Sequence, residues 1–291
     1  MTFSLFGDKF TRHSGITLLM EDLNDGLCTP GAIMLGGGNP AQIPEMQDYF
    51  QTLLTDMLES GKATDALCNY DGPQGKTELL TLLAGMLREK LGWGYRTTEY
   101  CTNKRQPERV FLTYLICLPD AVPMVGSKKC CFRWHRNTLA TLTPDWKKIC
   151  LSLRVRILNC CRKASLNTTS ILSHLHIGEE TGMICVSRPT NPTGNVITDE
   201  ELLKLDALAN QHGIPLVIDN AYGVPFPGII FSEARPLWNP NIVLCMSLSK
   251  LGLPGSRCGI IIANEKIITA ITNMNGIISL APGRYWSGDN V

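Results

Sequence analysis

The chain has 291 residues, 44% of them apolar, with 27 Lys and Arg against 26 Asp and Glu for a net charge of +1. That length and apolar fraction can bury one large α/β core or two modest ones. A near-neutral charge gives no global reason for nucleic acid as a partner, and no run approaches the roughly eighteen apolar residues of a membrane span, so a small-molecule partner is expected.

The start, MTFSLFGDKF, lacks the basic region and continuous apolar stretch of a signal peptide, so a cytoplasmic location with reduced thiols is expected. Next comes Gly36-Gly37-Gly38-Asn39-Pro40 after the apolar Ala-Ile-Met-Leu. It fits a loose dinucleotide fingerprint, but Pro40 stands where the helix should already run. Apolar residues then recur at helical spacing from Met46 to Ser60 and from Lys76 to Leu91, predicting two helices. Gly72-Pro73-Gln74-Gly75-Lys76-Thr77 has the look of a phosphate loop, yet Tyr70 occupies the position of its first glycine.

Composition changes after Trp93 and changes back near His176. Residues 94 to 174 hold seven of the twelve cysteines, two of the 26 glycines, and fourteen Lys and Arg against four Asp and Glu. None of the cysteines forms a CxxC, and the pairs Cys130-Cys131 and Cys160-Cys161 lack zinc-ribbon spacing, so no metal site is expected. A basic insertion domain would explain the segment. Translation in the wrong reading frame explains it better, because apart from the apolar run Phe111–Leu118 no helical or strand periodicity is sustained. The final RYWSGDNV closes no element and is read the same way.

Order returns with MICVS (183–187), followed by Arg-Pro-Thr-Asn-Pro-Thr-Gly. Thr198 with Glu201 three residues later predicts a capping box for a helix to about His212. IPLVID, IVLCMS and CGIIIA follow as strand-like runs. Continuous apolar strands alternating with helices imply a largely parallel sheet covered on both faces, with ligand chemistry at the strands' carboxyl ends.

Two residues stand where such chemistry needs them. Asp219 ends IPLVID, an acid that is costly to bury without a positive partner. Lys250 follows IVLCMS in the run SLSKLGLPGSR, where desolvation and nearby positive charge would make its amine nucleophilic toward an aldehyde. Around it Ser247, Ser249 and Arg257 offer two hydroxyls and a planar fork of donors suited to phosphate. Taken singly, each of these also reads as an ordinary surface or strand-end residue.

Together, Asn191-Pro192-Thr193-Gly194, Asp219-Asn220-Ala221-Tyr222, Ser247-Leu248-Ser249-Lys250 and Pro254-Gly255-Ser256-Arg257 resemble, in order, the signature series of the fold-type-I aminotransferases, which depend on pyridoxal 5'-phosphate (PLP). The resemblance implies an α/β large domain with a mostly parallel central sheet flanked by helices. It implies that Lys250 carries PLP, that Asp219 pairs with the protonated ring nitrogen, and that Asn191 and Tyr222 hydrogen-bond the ring's phenolic oxygen. Ser247 and Arg257 would hold the phosphate. Gly38 resembles the family's loop near the substrate carboxylate, and Tyr70 the tyrosine that reaches a partner subunit's cofactor, which implies a homodimer.

Residues 1 to 93 and about 175 to 283 further resemble a bacterial branch that moves an amino group from valine to pyruvate, giving 3-methyl-2-oxobutanoate and alanine. The implied organisation is 1–45 as an N-terminal segment belonging with a small domain and substrate loop, 46–283 as the PLP-binding large domain interrupted by 94–174, and 284–291 as an atypical tail. The family's phosphate-cradling loop and ring-stacking aromatic are expected soon after residue 93, where the sequence reads CTNKRQPERV. The chain is also expected to stop before the family's C-terminal small domain, which is read as missing. Two rivals stay open. One is a PLP lyase or synthase on the same scaffold, which would release ammonia without a keto-acid acceptor. The other is a non-catalytic protein, either a PLP-like domain used for interaction or a damaged product that folds partly, which would lack the absorption band of a lysine-bound cofactor.

Overall fold

The computed structural model describes residues 13, 15–33, 39–94, 177–178, 181–189, 196–223 and 234–282, and the strand backbones at 100–103, 129–132 and 151–153. Its elements follow the chain. Helices α1 (Gly15–Cys28), α2 (Pro44–Glu59), α3 (Lys62–Cys68) and α4 (Thr77–Leu91) come first, then strands β1 (Tyr100–Asn103), β2 (Lys129–Phe132), β3 (Leu151–Leu153) and β4 (Thr181–Ser187). After these come α5 (Asp199–Gln211), β5 (Leu216–Asp219), β6 (Ile242–Ser247), β7 (Gly259–Ile262) and α6 (Glu265–Ser279).

Local chemistry accounts for the helix ends. Pro44 opens α2, where its missing N–H removes no helical bond. Gly92 ends α4 in a left-handed conformation at φ 70° with Arg88 and Lys90 in the last turn, where cations complement the helix dipole. The capping box expected before α5 is present. The Thr198 hydroxyl accepts from the Glu201 amide at 3.2 Å, and the Glu201 carboxylate accepts from the Thr198 amide at 3.1 Å. Helix α6, which no sequence signal singled out above, starts on Asn264, whose side chain accepts from the Ile267 amide.

The seven strands form one sheet in the order β1-β7-β6-β5-β4-β2-β3. Strands β3, β2, β4, β5 and β6 run parallel, while β7 is antiparallel to β6 and β1 antiparallel to β7. The largely parallel sheet is therefore as expected. Alternate residues of each strand serve opposite faces. One face joins Ile184, Val186, Leu216, Ile218, Leu244 and Met246 to Leu83 and Leu87 of α4 and Leu202 and Leu205 of α5. On the other, Met183, Cys185, Val217, Val243, Cys245 and Ile261 meet Ile268 and Ile271 of α6. Cover on both faces is why these strands read as unbroken apolar runs.

The strands β1, β2 and β3 fall inside the segment for which no sustained periodicity was expected. Backbone hydrogen bonds need no side-chain pattern to form a ladder, which is how such residues join the sheet. The expectation that residues 94 to 174 make no consistent core falls on side chains outside the described residues. Among the described residues, no helix is long and apolar enough to cross a membrane.

Candidate active site

The site stands where β4, β5 and β6 end together. Register sets Ser187 beside Asp219, and Asp219 beside Cys245, two residues before Ser247. Because β7 is antiparallel to β6, the chain must turn back at that same edge. Residues 248–258 make the turn through two short 3-10 segments, Leu248–Leu251 and Pro254–Ser256, and the Leu248 amide closes it on the Cys258 carbonyl at 3.2 Å. Lys250 rides on the first segment and Arg257 ends the second.

Lys250 Nζ lies 5.0 Å from the centre of the Tyr222 ring, a cation–π distance. Burial, and after it the charge of Arg257, holds its amine below the usual lysine range. Burial likewise pushes the Tyr222 phenol up, so its hydroxyl keeps its proton at neutral pH and can donate. Arg257 is exposed, sits at φ 53°, and donates from Nη1 to the Pro254 carbonyl at 3.4 Å. A non-glycine residue in that region is uncommon and tends to mark a functional constraint.

Tyr222 is held by a tight turn. The Gly223 amide donates to the Asn220 carbonyl at 3.1 Å, and a Cβ on Gly223 would fall 2.0 Å from the Asn220 side-chain oxygen. Since Asn220 is buried, a larger residue there would have to displace its side chain.

Asp219 receives a donor on each oxygen, the Ser187 hydroxyl 3.1 Å from Oδ2 and the Ala221 amide 3.1 Å from Oδ1. Ser247 is fully buried. Its hydroxyl accepts from the Ser249 amide at 3.1 Å and points to the Cys258 carbonyl at 3.5 Å. It thus shapes the turn that carries Lys250, and Ser249 is buried beside it.

Beyond Lys250, a cavity of about 480 Å³ opens toward α2, lined by Asn39, Ile43, Met46, Phe50, Lys250 and Leu251 among others. Gly252 sits at φ 106°, a backbone conformation that side-chain-bearing residues rarely adopt. Among the described residues of this lining Lys250 alone is charged, and the volume lies in the ordinary range for small-molecule sites.

Of the residues expected from sequence, Lys250, Tyr222 and Arg257 are brought together, with Asp219 three residues before Tyr222 at the mouth of the sheet and Ser247 and Ser249 under the lysine turn. Tyr70 stands 84% exposed on the loop between α3 and α4. Asn191 and Gly38 lie outside the described residues.

Sequence reasoning missed Ser187 and Arg188. The Arg188 side chain is buried and donates to the Ile197 carbonyl at 2.6 Å, to the Arg235 carbonyl at 2.8 Å and to the Asp199 carboxylate. It ties the end of β4 to the start of α5 and to residue 235. For Asp199, burial acts upward, but the bonds to Arg188 and the Arg235 amide outweigh it and hold the carboxyl low. An arginine directly after an apolar strand was the only signal available.

Residues 159–282 match the family model "Aminotransferase class I and II". Over 293 aligned residues, covering 97% of this chain and 68% of the relative, the chain is 73% identical to valine–pyruvate aminotransferase of Escherichia coli K12. The crystal structure of valine–pyruvate aminotransferase from Salmonella typhimurium LT2 superposes with a TM-score of 0.75 at 62% identity, covering 93% of this chain and 66% of that one. Aspartate aminotransferase from Thermus thermophilus, at 19% identity, shares the fold with a TM-score of 0.71 over 98% of this chain and 70% of that one. The chain thus spans about two thirds of the length of these relatives.

Proposed function

The chain belongs to the class I and II aminotransferase family, and from that premise we propose that it transfers the amino group of valine to pyruvate with PLP carried on Lys250. The observation that carries the reaction is the 73% identity to a valine–pyruvate aminotransferase. For the cofactor, the donor set is what argues. A desolvated amine, a carboxylate oriented by two donors, a protonated phenol and an exposed guanidinium fit a group made of an aldehyde, a ring nitrogen, a phenolic oxygen and a phosphate.

When bound, PLP supplies an aldehyde that condenses with amines and a protonated ring that takes up the electron pair left at the amino acid's α-carbon. Lys250 would hold the aldehyde through Nζ, and its lowered proton affinity leaves more of the amine neutral and able to carry the α-proton. Asp219, anionic, would hold the proton on the ring nitrogen through a charge-assisted hydrogen bond. The Tyr222 hydroxyl would donate to the phenolic oxygen, together with Asn191 in this reading. Arg257, with Ser247 and Ser249, would meet the phosphate, and Gly38 the substrate carboxylate. The apolar wall of Ile43, Met46 and Phe50 suits the uncharged side chain of valine. Exposed Tyr70 would face the cofactor of a second copy in a homodimer.

Valine and pyruvate supplied together to the purified protein test this reading directly. Appearance of 3-methyl-2-oxobutanoate and alanine in equal amounts supports it; ammonia released from valine with no keto acid present contradicts it in favour of a lyase.

A separate proposal concerns residues 94 to 174, which we read as out of frame with the relatives; the activity proposed above is then that of the protein with this segment in frame, and the 291-residue chain itself should bind PLP weakly and turn over little. The abrupt shift in charge and cysteine content over 94 to 174, against the ordered motifs on either side, is what supports this reading. The nucleotide sequence across these codons decides it. A single insertion or deletion at each end supports the proposal, and an in-frame reading that gives these same residues refutes it.

A further inference from the structure

Asp219 carries the central charge of the proposed site, yet it stands at a half-buried strand end where an ionised carboxylate is costly. The pairing of β4 with β5 sets Ser187 directly opposite it. Ser187 is 4% exposed, with its hydroxyl 3.1 Å from Asp219 Oδ2 and 3.2 Å from the Pro189 carbonyl. One hydroxyl has one proton to give. A charged acceptor forms a bond roughly twice as strong as a neutral one, so the carboxylate takes the proton in preference to the carbonyl. The Ala221 amide fills the other side at Oδ1. Each oxygen keeps further lone-pair capacity for a partner in front of the sheet.

We propose that Ser187 is a positioning residue that acts through Asp219: its hydroxyl, opposite the Ala221 amide, fixes the rotation of the carboxylate and favours its ionised form, so that the cofactor's ring nitrogen keeps its proton. The proposal rests on the reading of Asp219 given above. It assigns to Ser187 no contact with substrate or cofactor. Donors to the ionised form of a carboxylate stabilise that form, and a buried hydrogen bond to a charged group is the kind whose loss is felt most.

The test uses the full chain reconstituted with PLP labelled with 15N in the ring, comparing the parent with Ser187→Ala, Ser187→Cys and Ser187→Thr. In the parent, the ring 15N signal should stand at the protonated position. In Ser187→Ala it should move toward the unprotonated position, with the PLP dissociation constant rising on the order of tenfold. Ser187→Cys, a weaker donor of similar size, should fall between, and Ser187→Thr should return toward the parent. In an Asp219→Asn background, Ser187→Ala should change neither reading further, since its effect passes through the carboxylate.

An unmoved 15N signal in both Ser187→Ala and Ser187→Cys overturns the proposal, even if their melting temperatures fall, because the hydroxyl would then merely tie β4 to Pro189. An equal loss in the Asp219→Asn background overturns it as well. Failure of the parent to give a borohydride-trapped adduct on Lys250 is a different result: it removes the reading of the site itself, and this proposal with it.

Discussion

Replacing Asp219 by Ala leaves the fold's main supports in place, since its neighbours Ile218 and Val217 hold the sheet's two cores, but it removes the carboxylate that ends β5 at the sheet's mouth. The size of the loss can be worked out. Two unit charges about 3 Å apart at an effective dielectric near 20 interact by roughly 5 kcal/mol. Desolvating a carboxylate that is half-buried at a strand end takes back part of this. A net of about 3–4 kcal/mol remains, or roughly 10²- to 10³-fold in the rate of proton removal from valine. The Ser187 hydroxyl would still have the Pro189 carbonyl as an acceptor, so the variant should fold. The assay is a single turnover of PLP-loaded protein with valine, followed by absorbance, with borohydride trapping as the control for loading. Trapping at Lys250 should survive in Asp219→Ala while the turnover slows by that factor. Near-parent turnover in fully loaded protein would refute the argument and leave Asp219 an ordinary strand-end acid.

Other perturbations have equally definite outcomes. Arg257→Gln removes a charge that helps lower the Lys250 amine, the smaller of two causes after burial. The amine should then hold its proton to higher pH, moving the onset of adduct formation with PLP upward on the pH axis; a downward shift contradicts the assignment. Arg188→Ala deprives two carbonyls and the Asp199 carboxylate of one buried donor group, and because Asp199 is itself half exposed the loss should be about 3 kcal/mol in urea unfolding, at the low end for a broken buried pair. Thr198→Ala opens the capping box of α5 and should lower stability by about 1 kcal/mol without altering the substrate profile.

How much of this was legible beforehand depended on distance along the chain. Thr198 and Glu201 are three residues apart and their capping box could be read directly. IVLCMS was legible as a strand with its bounds because burial on both faces leaves an unbroken apolar run. The meeting of Lys250 with Tyr222 rested on the motif series, since nothing local to either residue says that the turn after β6 folds back over the turn after β5. The antiparallel direction of β7 had no sequence signal, although it is what returns the chain past Lys250 to Arg257. Contacts fixed only by the tertiary fold stayed hidden: Arg188 to the Arg235 carbonyl, and Asn275 of α6 to the Pro73 carbonyl at 2.6 Å across 202 residues. Ser187 became visible as a partner of Asp219 only once the register of β4 on β5 was known.

The most direct test of the account is where PLP attaches. After the chain is incubated with PLP, reduced with borohydride and digested, mass spectrometry should find the cofactor's mass on the peptide containing Lys250, and Lys250→Ala should abolish it. A reduced adduct on any other lysine, or an adduct that persists in Lys250→Ala, would contradict the assignment on which the site and its mechanism rest.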